Sequence, residues 1–479
     1  MAVLPTTGYV GNLTPTEEAK LRDFWTLLFT TVASLLSTVY DVPLPEGGPT
    51  TLFKLLANVG EPTANGILAA LRGEAASSPA VANGATASAK ALLSELSREK
   101  VTRPQLDRLF ADLRKAGVHD AELKAMEKIL VKMSPVEMCV ALLKMVKQEH
   151  PDTLLLRFLR ARKWDIPRAF GMMANAILWR KSFEVDEDVV PRGELDAWRR
   201  SRDEGLSEAE RKEGKDFIMQ LEMGKSYLHG LDREGRPVNI VRVRLHKPGA
   251  QSQAALERYI VHVIESTRIL VAPPVETGTI LFDMTGFSLS NMEYSPVKFI
   301  IQCFEANYPE SLGRLLIHNA PWIFSGIWKI IHGWMDPVVA SKVQFTKSID
   351  DLDKFIPRAK IPKELGGDED FEYSYLEPKD DENATMQDSE ARDTIMIERM
   401  MIGLKLVAAT AAWISAASPS SKSTEGEEKE KAVEEAKKHR DEVIKEFQAN
   451  YWKLDPYVRA RALIDRTGAI APDGTVNDY

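Results

Sequence analysis

From Tyr227 onward the chain changes its period, and this change limits the available folds more than any other feature. The cluster Gly230-Leu231-Asp232-Arg233-Glu234-Gly235 reads as a turn, and 238–245 after it as a strand. Residues 255–271 form an amphipathic helical pattern, and 279–284 a short, nearly all-apolar strand. Ser295-Pro296 starts another helix, with Ser295 as N-cap and Val297, Ile300, Ile301 and Phe304 on its inner face. Residues 315–318 and 343–346 are the remaining strand candidates. Each apolar strand must bury its faces, so strands alternating with helices predict an α/β layer.

The flanking regions are helical. Segment 14–59 reads as one or two helices, opened by a capping box of Thr14 and Glu17. The run 24–40 is uncharged, but Thr26, Thr30, Ser34, Ser37 and Asp41 share one stripe, which suits an amphipathic helix rather than a membrane span. Residues 1–20 have no basic segment leading into an apolar run, so no signal peptide is expected. Small residues without aromatics fill 73–90, too little apolar surface to order a segment, so a flexible linker is expected there. A boundary falls at His150-Pro151, with Asp152 as candidate N-cap. Asp165 caps the next helix, and Pro167 sits in its first turn. Residues 378–390 form an acidic loop, and helices are expected at 392–417 and 427–452, joined by a flexible 418–426.

Composition narrows the function classes. The chain has 479 residues, 44% hydrophobic and 28% charged, with a net charge of −8. A general nucleic-acid binder would show a basic face, so none is expected as partner. An anionic bilayer would repel the chain as a whole, so membrane contact must be local. Cys139 and Cys303 lie in apolar helical patterns and read as reduced core thiols. No Cys/His spacing suggests zinc, and no phosphate-binding glycine loop, nucleophile elbow or HExxH motif is present. His229, His246, His262, His318 and His332 are scattered and read as surface or core residues.

Residues 227–376 carry a set of short motifs in fixed order. They are Tyr308-Pro309-Glu310, Asn319-Ala320-Pro321, an aromatic run from Trp322 to Trp334, Asp336-Pro337, Ser341-Lys342 and Leu365-Gly366-Gly367. In order and spacing they resemble the CRAL-TRIO lipid-binding family, to which the yeast phosphatidylinositol/phosphatidylcholine transfer protein belongs. LLLRFLRARKWD at 154–165 resembles that family's N-terminal helices. LTPTEEAKLRDFW at 13–25 and NYWKLDPYVRARALIDR at 450–466 resemble a fungal subgroup with long extensions. The resemblance implies a lobe with a mixed β-sheet floor, flanking helices and a gating helix, preceded by a helical N-terminal domain and followed by C-terminal helices. The expected division is a helical extension at 1–72, the linker at 73–90 and a helical segment at 91–149. CRAL-TRIO N-terminal helices follow at 150–222, the lipid-binding lobe at 223–377, and the acidic loop with C-terminal helices at 378–479.

The resemblance also implies a function. A cytoplasmic carrier would hold one phosphatidylinositol in a closed apolar cavity and exchange it while peripherally bound to an endomembrane (endoplasmic reticulum, endosome or lipid droplet). No catalysis, metal or cofactor is implied beyond the bound lipid. Two alternatives stand: a carrier of squalene or a sterol-like hydrophobe, and a lipid-sensing scaffold that regulates a lipid-metabolising enzyme.

The candidate site residues follow from the same motifs. Glu310 and Lys342 match the family's inositol-headgroup positions; a carboxylate accepts from inositol hydroxyls and an ammonium meets the phosphate. Read by itself, each is a solvated surface charge. Arg160 is either a third headgroup ligand or a clamp between elements. Trp322, Phe324, Ile327, Trp328, Ile331, Trp334 and Met335 form either a buried core helix or the family's gate, with Gly326 and Gly333 easing a hinge. Gly366 is either an ordinary turn or a corner beside the gate. Departures from the family pattern fall at Gly278 and Ile280, where phosphatidylcholine-transfer members carry Ser and Thr, and at Val339, where the yeast protein carries Thr.

Overall fold

The computed structural model describes residues 7–40, 101–115, 117–133, 135–418 and 426–477. The expected linker at 73–90, all of the helical pattern read into 41–72 and the first ten residues of the helical segment expected at 91–149 lie outside the described residues, as does 419–425. The chain divides into two compact units. One comprises Arg180–Gln387 and Pro456–Tyr479, and the other Thr6–Trp179 and Asp388–Asp455.

The second unit is helical. Its core gathers Leu21 and Phe24, Leu109 and Leu123, Leu156 and Phe158, then Ile402, Trp413 and Phe447 from helices distant in sequence. The Thr14–Glu17 capping box forms reciprocally, at 2.8 and 3.3 Å. Asp152 does not cap its helix. The N-cap is His150, whose ring accepts from the Asp152 N–H. The Asp152 carboxylate is buried instead, accepting from Arg440 at 2.7 and 2.5 Å and from the Trp25 indole at 2.7 Å. A buried anion needs such partners, and tertiary pairing outranked the local cap. Among the described residues one helix, Ser389–Ala417, is long and apolar enough to cross a membrane. One face of it packs into the core: Ile402, Leu406 and Trp413 are buried, and Arg399 within it donates to the carbonyls of Phe447 and Lys147.

The first unit is built on a five-stranded sheet in sequential order. The strands are β1 (Ser226–Leu231), β2 (Pro237–Arg242), β3 (Gly278–Asp283), β4 (Leu312–His318) and β5 (Val343–Thr346). β1 and β2 form an antiparallel hairpin, and the three later pairings are parallel, so the sheet is mixed. The sequence pattern foresaw four of these strands. β1 is hidden in the sequence because Gly230, next to its last residue, belongs to a cluster with turn character; a register shift between Leu228 and Leu231 accommodates it. Helices Gln253–Leu270, Tyr294–Gln302 and Phe324–His332 make the three crossovers. With sequential strand order, right-handed crossovers put all three on one face. Helix Tyr294–Gln302 has Glu293, not Ser295, at its N-cap, and Pro296 falls in the first turn.

Candidate functional site

Side chains alternate between faces along a strand, so each apolar strand serves two interiors. Val238, Ile240, Leu281 and Leu316 face one way and pack solidly against Leu352, Ile356, Ile361 and Leu365. Their neighbours Val241, Ile280, Phe282, Leu315 and Ile317 face the three crossover helices. The register places Val241, Phe282 and Ile317 in one row, and Asn239, Ile280 and Leu315 in the next. On this side the helices do not close onto the sheet. Tyr259 and Val263, Val297 and Ile301, and Phe324, Trp328 and Ile331 stand across a cavity of about 1420 Å3 of empty space, its opening to solvent included.

The segment at 322–335 divides its aromatic residues among three tasks. Phe324, Trp328, Ile331 and Met335 line the cavity, and Ile327 is buried with them. Trp328 meets Phe345 edge-on at 5.2 Å. Trp334 packs edge-on against Tyr294 at 5.3 Å, with the Lys298 ammonium 4.6 Å over its ring. Trp322 is 87% exposed, and Ile330, Val338 and Phe345 are exposed apolar residues nearby in sequence or contact. Gly326 and Gly333 have room for a methyl group, the nearest atom to one at Gly333 being 3.4 Å away.

Glu310 and Lys342 come together. Lys342 Nζ donates to Glu310 Oε2 at 3.1 Å, and both side chains are largely buried, at 18% and 16% exposure for Lys342 and Glu310. Glu310 adopts a left-handed φ of 55°. Two residues before it Tyr308 is anchored, its hydroxyl donating to Glu265 at 2.7 Å; Arg180 donates to the same carboxylate at 2.8 Å and pairs with Asp186. Burial pushes the Tyr308 phenol well above its usual range, so it stays a neutral donor. Lys342 follows helix Pro337–Ser341, and its carbonyl accepts from Leu315 of β4 at 3.0 Å. In sequence Glu310 stands two residues before Leu312 and Lys342 three after Val339, both of which line the cavity, although Glu310 and Lys342 themselves are not among its lining residues. Arg160 belongs to the helical unit, where it donates to the Gly8 carbonyl at 2.6 Å and lies 4.0 Å over the Tyr9 ring.

At the departures from the family pattern, Ile280 and Val339 face the cavity with apolar side chains. Thr279, between Gly278 and Ile280, donates its hydroxyl away to Asp232 at 2.7 Å. Gly366 has φ of +84°, the conformation that favours glycine. Its neighbour Gly367 is the more constrained residue, because a methyl there would overlap the Ile361 backbone. Glu364 ties this turn to the strand ends, accepting from Arg242 at 2.7 Å, Arg244 at 3.2 Å and the Tyr227 hydroxyl at 2.6 Å. Arg244 also pairs with Asp283 at the end of β3.

Sequence reasoning missed this network and the polar residues of the cavity wall: Lys225, Ser226, Asn239, Arg242, His246, Asn291 and Glu293. Asn239, an amide among the apolar residues of β2, was the available signal. Cys303 is free and buried, and burial pushes its thiol up to about 12, which removes it as a nucleophile. Among the described residues no group of three or more His, Cys, Asp or Glu could hold a metal ion.

Comparison with known proteins agrees with this architecture. Residues 221–367 match the CRAL/TRIO domain model, and 122–175 match the CRAL/TRIO N-terminal domain model. The chain is 40% identical over 349 residues to phosphatidylinositol transfer protein CSR1 of Eremothecium gossypii, covering 73% of this chain and 75% of that protein. It is 39% identical over 354 residues to the CRAL-TRIO domain-containing protein C3H8.02 of Schizosaccharomyces pombe, covering 74% of this chain and 73% of that one. It is 30% identical over 244 residues to the SEC14 cytosolic factor of Yarrowia lipolytica, covering 48% and 46% respectively. The mixed sheet, its three covering helices and these matches together show that the chain belongs to the CRAL-TRIO family.

Proposed function

We propose that this chain is an intracellular lipid transfer protein that binds one phosphatidylinositol and exchanges it at membranes. The observation that carries the reading is the apolar cavity between sheet and helices, with the paired Glu310 and Lys342 close in sequence to its lining residues Leu312 and Val339. Acyl chains suit the cavity wall. At roughly 25 cal/mol per Å2, burying several hundred Å2 of chain favours the bound state by on the order of 10 kcal/mol before entropy losses. The headgroup suits the pair, because an inositol ring offers hydroxyls to Glu310 and its phosphate offers charge to Lys342. Helix Phe324–His332 acts as the gate, and the exposed Trp322 and Ile330 are the residues that meet the bilayer interface. The expected site of work is the cytoplasm, with transient association with an endomembrane. The reading is of a carrier rather than a catalyst.

One observation favours a second reading. Glu310 and Lys342 already neutralise each other, and most of the residues lining the cavity are apolar, which also suits squalene or a sterol-like hydrophobe. Native mass spectrometry of the purified protein separates the two readings. A retained mass equal to phosphatidylinositol supports the first, and a triterpene or sterol mass refutes it. Transfer between vesicles by the purified chain, without any partner, tests carrier action against the scaffold alternative.

A further inference from the structure

The cavity wall carries a second polar locus, separate from Glu310 and Lys342. Lys225 precedes β1 and is 5% exposed, yet it lines the cavity. Its ammonium lies 3.2 Å from Gln251 Oε1 and 3.4 Å from His246 Nδ1. His246 Nε2 is in turn 2.9 Å from Glu293 Oε2. Burial pulls His246 down, so its ring is neutral, accepting from Lys225 on one side and donating to Glu293 on the other. The only carboxylate near Lys225 in this chain of bonds is thus one imidazole away. Two of the three ammonium protons have partners on the protein. Asn239, 8% exposed, spends its carbonyl oxygen on the Ser226 hydroxyl at 2.6 Å, and its NH2 group faces the same wall without a recorded protein acceptor. One Lys225 proton and the Asn239 NH2 group thus lack protein acceptors, the positive charge has no direct counter-ion, and the one buried oxygen of this cluster without a donor is Gln220 Oε1, whose amide nitrogen shares Gln251 Oε1 with Lys225. A buried locus of this kind is satisfied by an anionic oxygen.

We infer that Lys225 and Asn239 form a binding site for the oxyanion of an acyl-chain amphiphile, a carboxylate or a phosphate, with its chain in the apolar cavity. The inference rests on the carrier reading above but concerns a different class of polar head, since inositol hydroxyls play no part in it. Burial also brings the Lys225 ammonium down to about 8, so near neutral pH it stays mostly charged while unpaired, the state an anion stabilises.

The test uses the full chain and fluorescence of cis-parinaric acid against its methyl ester, with phosphatidic acid and diacylglycerol of matched chains as displacing ligands. The expected result is that the wild type prefers the anionic member of at least one pair by about tenfold or more. Preference within the first pair identifies a fatty-acid carboxylate, and within the second a phospholipid phosphate. Lys225→Met should reduce the preference to about twofold or less, and Lys225→Arg should keep it. Equal binding of both members of both pairs by the wild type overturns the proposal, and so does an undiminished preference in folded Lys225→Met. Phosphatidylinositol transfer, measured on the same proteins, reports on the carrier reading separately. Transfer that persists without any anion preference sinks only this inference, whereas the absence of both probe binding and phosphatidylinositol transfer sinks both.

Discussion

Replacing Gly367 by alanine should uncouple the corner of the lobe from its strands. The added methyl would overlap the Ile361 carbonyl oxygen and lie 2.5 Å from the Ile361 Cβ. Restoring an ordinary 3.4 Å contact to that oxygen requires a shift of about 1.4 Å. The obstacle is backbone on one side and a core residue on the other, since Ile361 is 1% exposed, so neither yields cheaply. Overpacking of this kind costs about 1–3 kcal/mol. The shift also disturbs Glu364, three residues earlier, and its bonds to Arg242, Arg244 and Tyr227. Those groups are partly solvated, so their loss adds only about 1 kcal/mol. The total is about 2–4 kcal/mol. Gly326→Ala is the opposite case, because a methyl there meets nothing within 4 Å and the residue lies inside helix Phe324–His332. It should stabilise the fold by about 0.5–1 kcal/mol. Urea unfolding and vesicle-to-vesicle lipid transfer should be measured on both variants. Gly367→Ala should lower the unfolding midpoint and slow transfer. If Gly326 serves as a hinge, its alanine variant should raise the midpoint and still slow transfer. A Gly367→Ala protein with wild-type midpoint and wild-type transfer would refute the steric argument.

Three further outcomes are expected. Lys342→Ala should reduce phosphatidylinositol transfer by about tenfold or more with little change in the unfolding midpoint, a phosphate contact being worth about 1.5–3 kcal/mol; unchanged transfer by folded protein removes Lys342 from the headgroup site. Trp322→Asp should weaken vesicle binding without changing stability, since the ring is 87% exposed, and a lack of any effect on binding or exchange would show that the membrane meets another surface. Burial alone would raise the Asp152 carboxyl, but Arg440, His150 and the Trp25 indole hold it at about 2, below its ordinary 3.8. A depressed folded-state value gives stability that is full above about pH 4 and is lost as pH falls towards 2, on the order of 2 kcal/mol for this group. Asp152→Asn should start less stable, with Arg440 left unpaired, and should lose less between pH 5 and pH 2.5; an identical loss would assign the acid sensitivity elsewhere.

The sequence alone determined what depends on neighbours in the chain. The nearly all-apolar run at 279–284, the strand pattern at 343–346, the helical period of 255–271 and the Thr14–Glu17 box all act within a few residues, and each appears close to where the pattern puts it. The motif order from Tyr308 to Gly367 was equally legible, and with it the family. Tertiary structure decided whatever depends on partners far along the chain. Asp152 reads as a cap, but Arg440, 288 residues away, takes its carboxylate. Glu310 and Lys342 read as two surface charges until β4 and helix Pro337–Ser341 bring them to 3.1 Å. Gly366 attracts notice by its motif, yet the residue without space is Gly367, because the Ile361 backbone folds back onto it. Lys225, His246 and Asn239 carry no motif and meet only when the β1–β2 hairpin closes beside the cavity. Local patterns record backbone preference and burial, which short stretches specify. Pairing of buried charges and the hollow between two apolar faces depend on how distant segments are brought together, which no local pattern records.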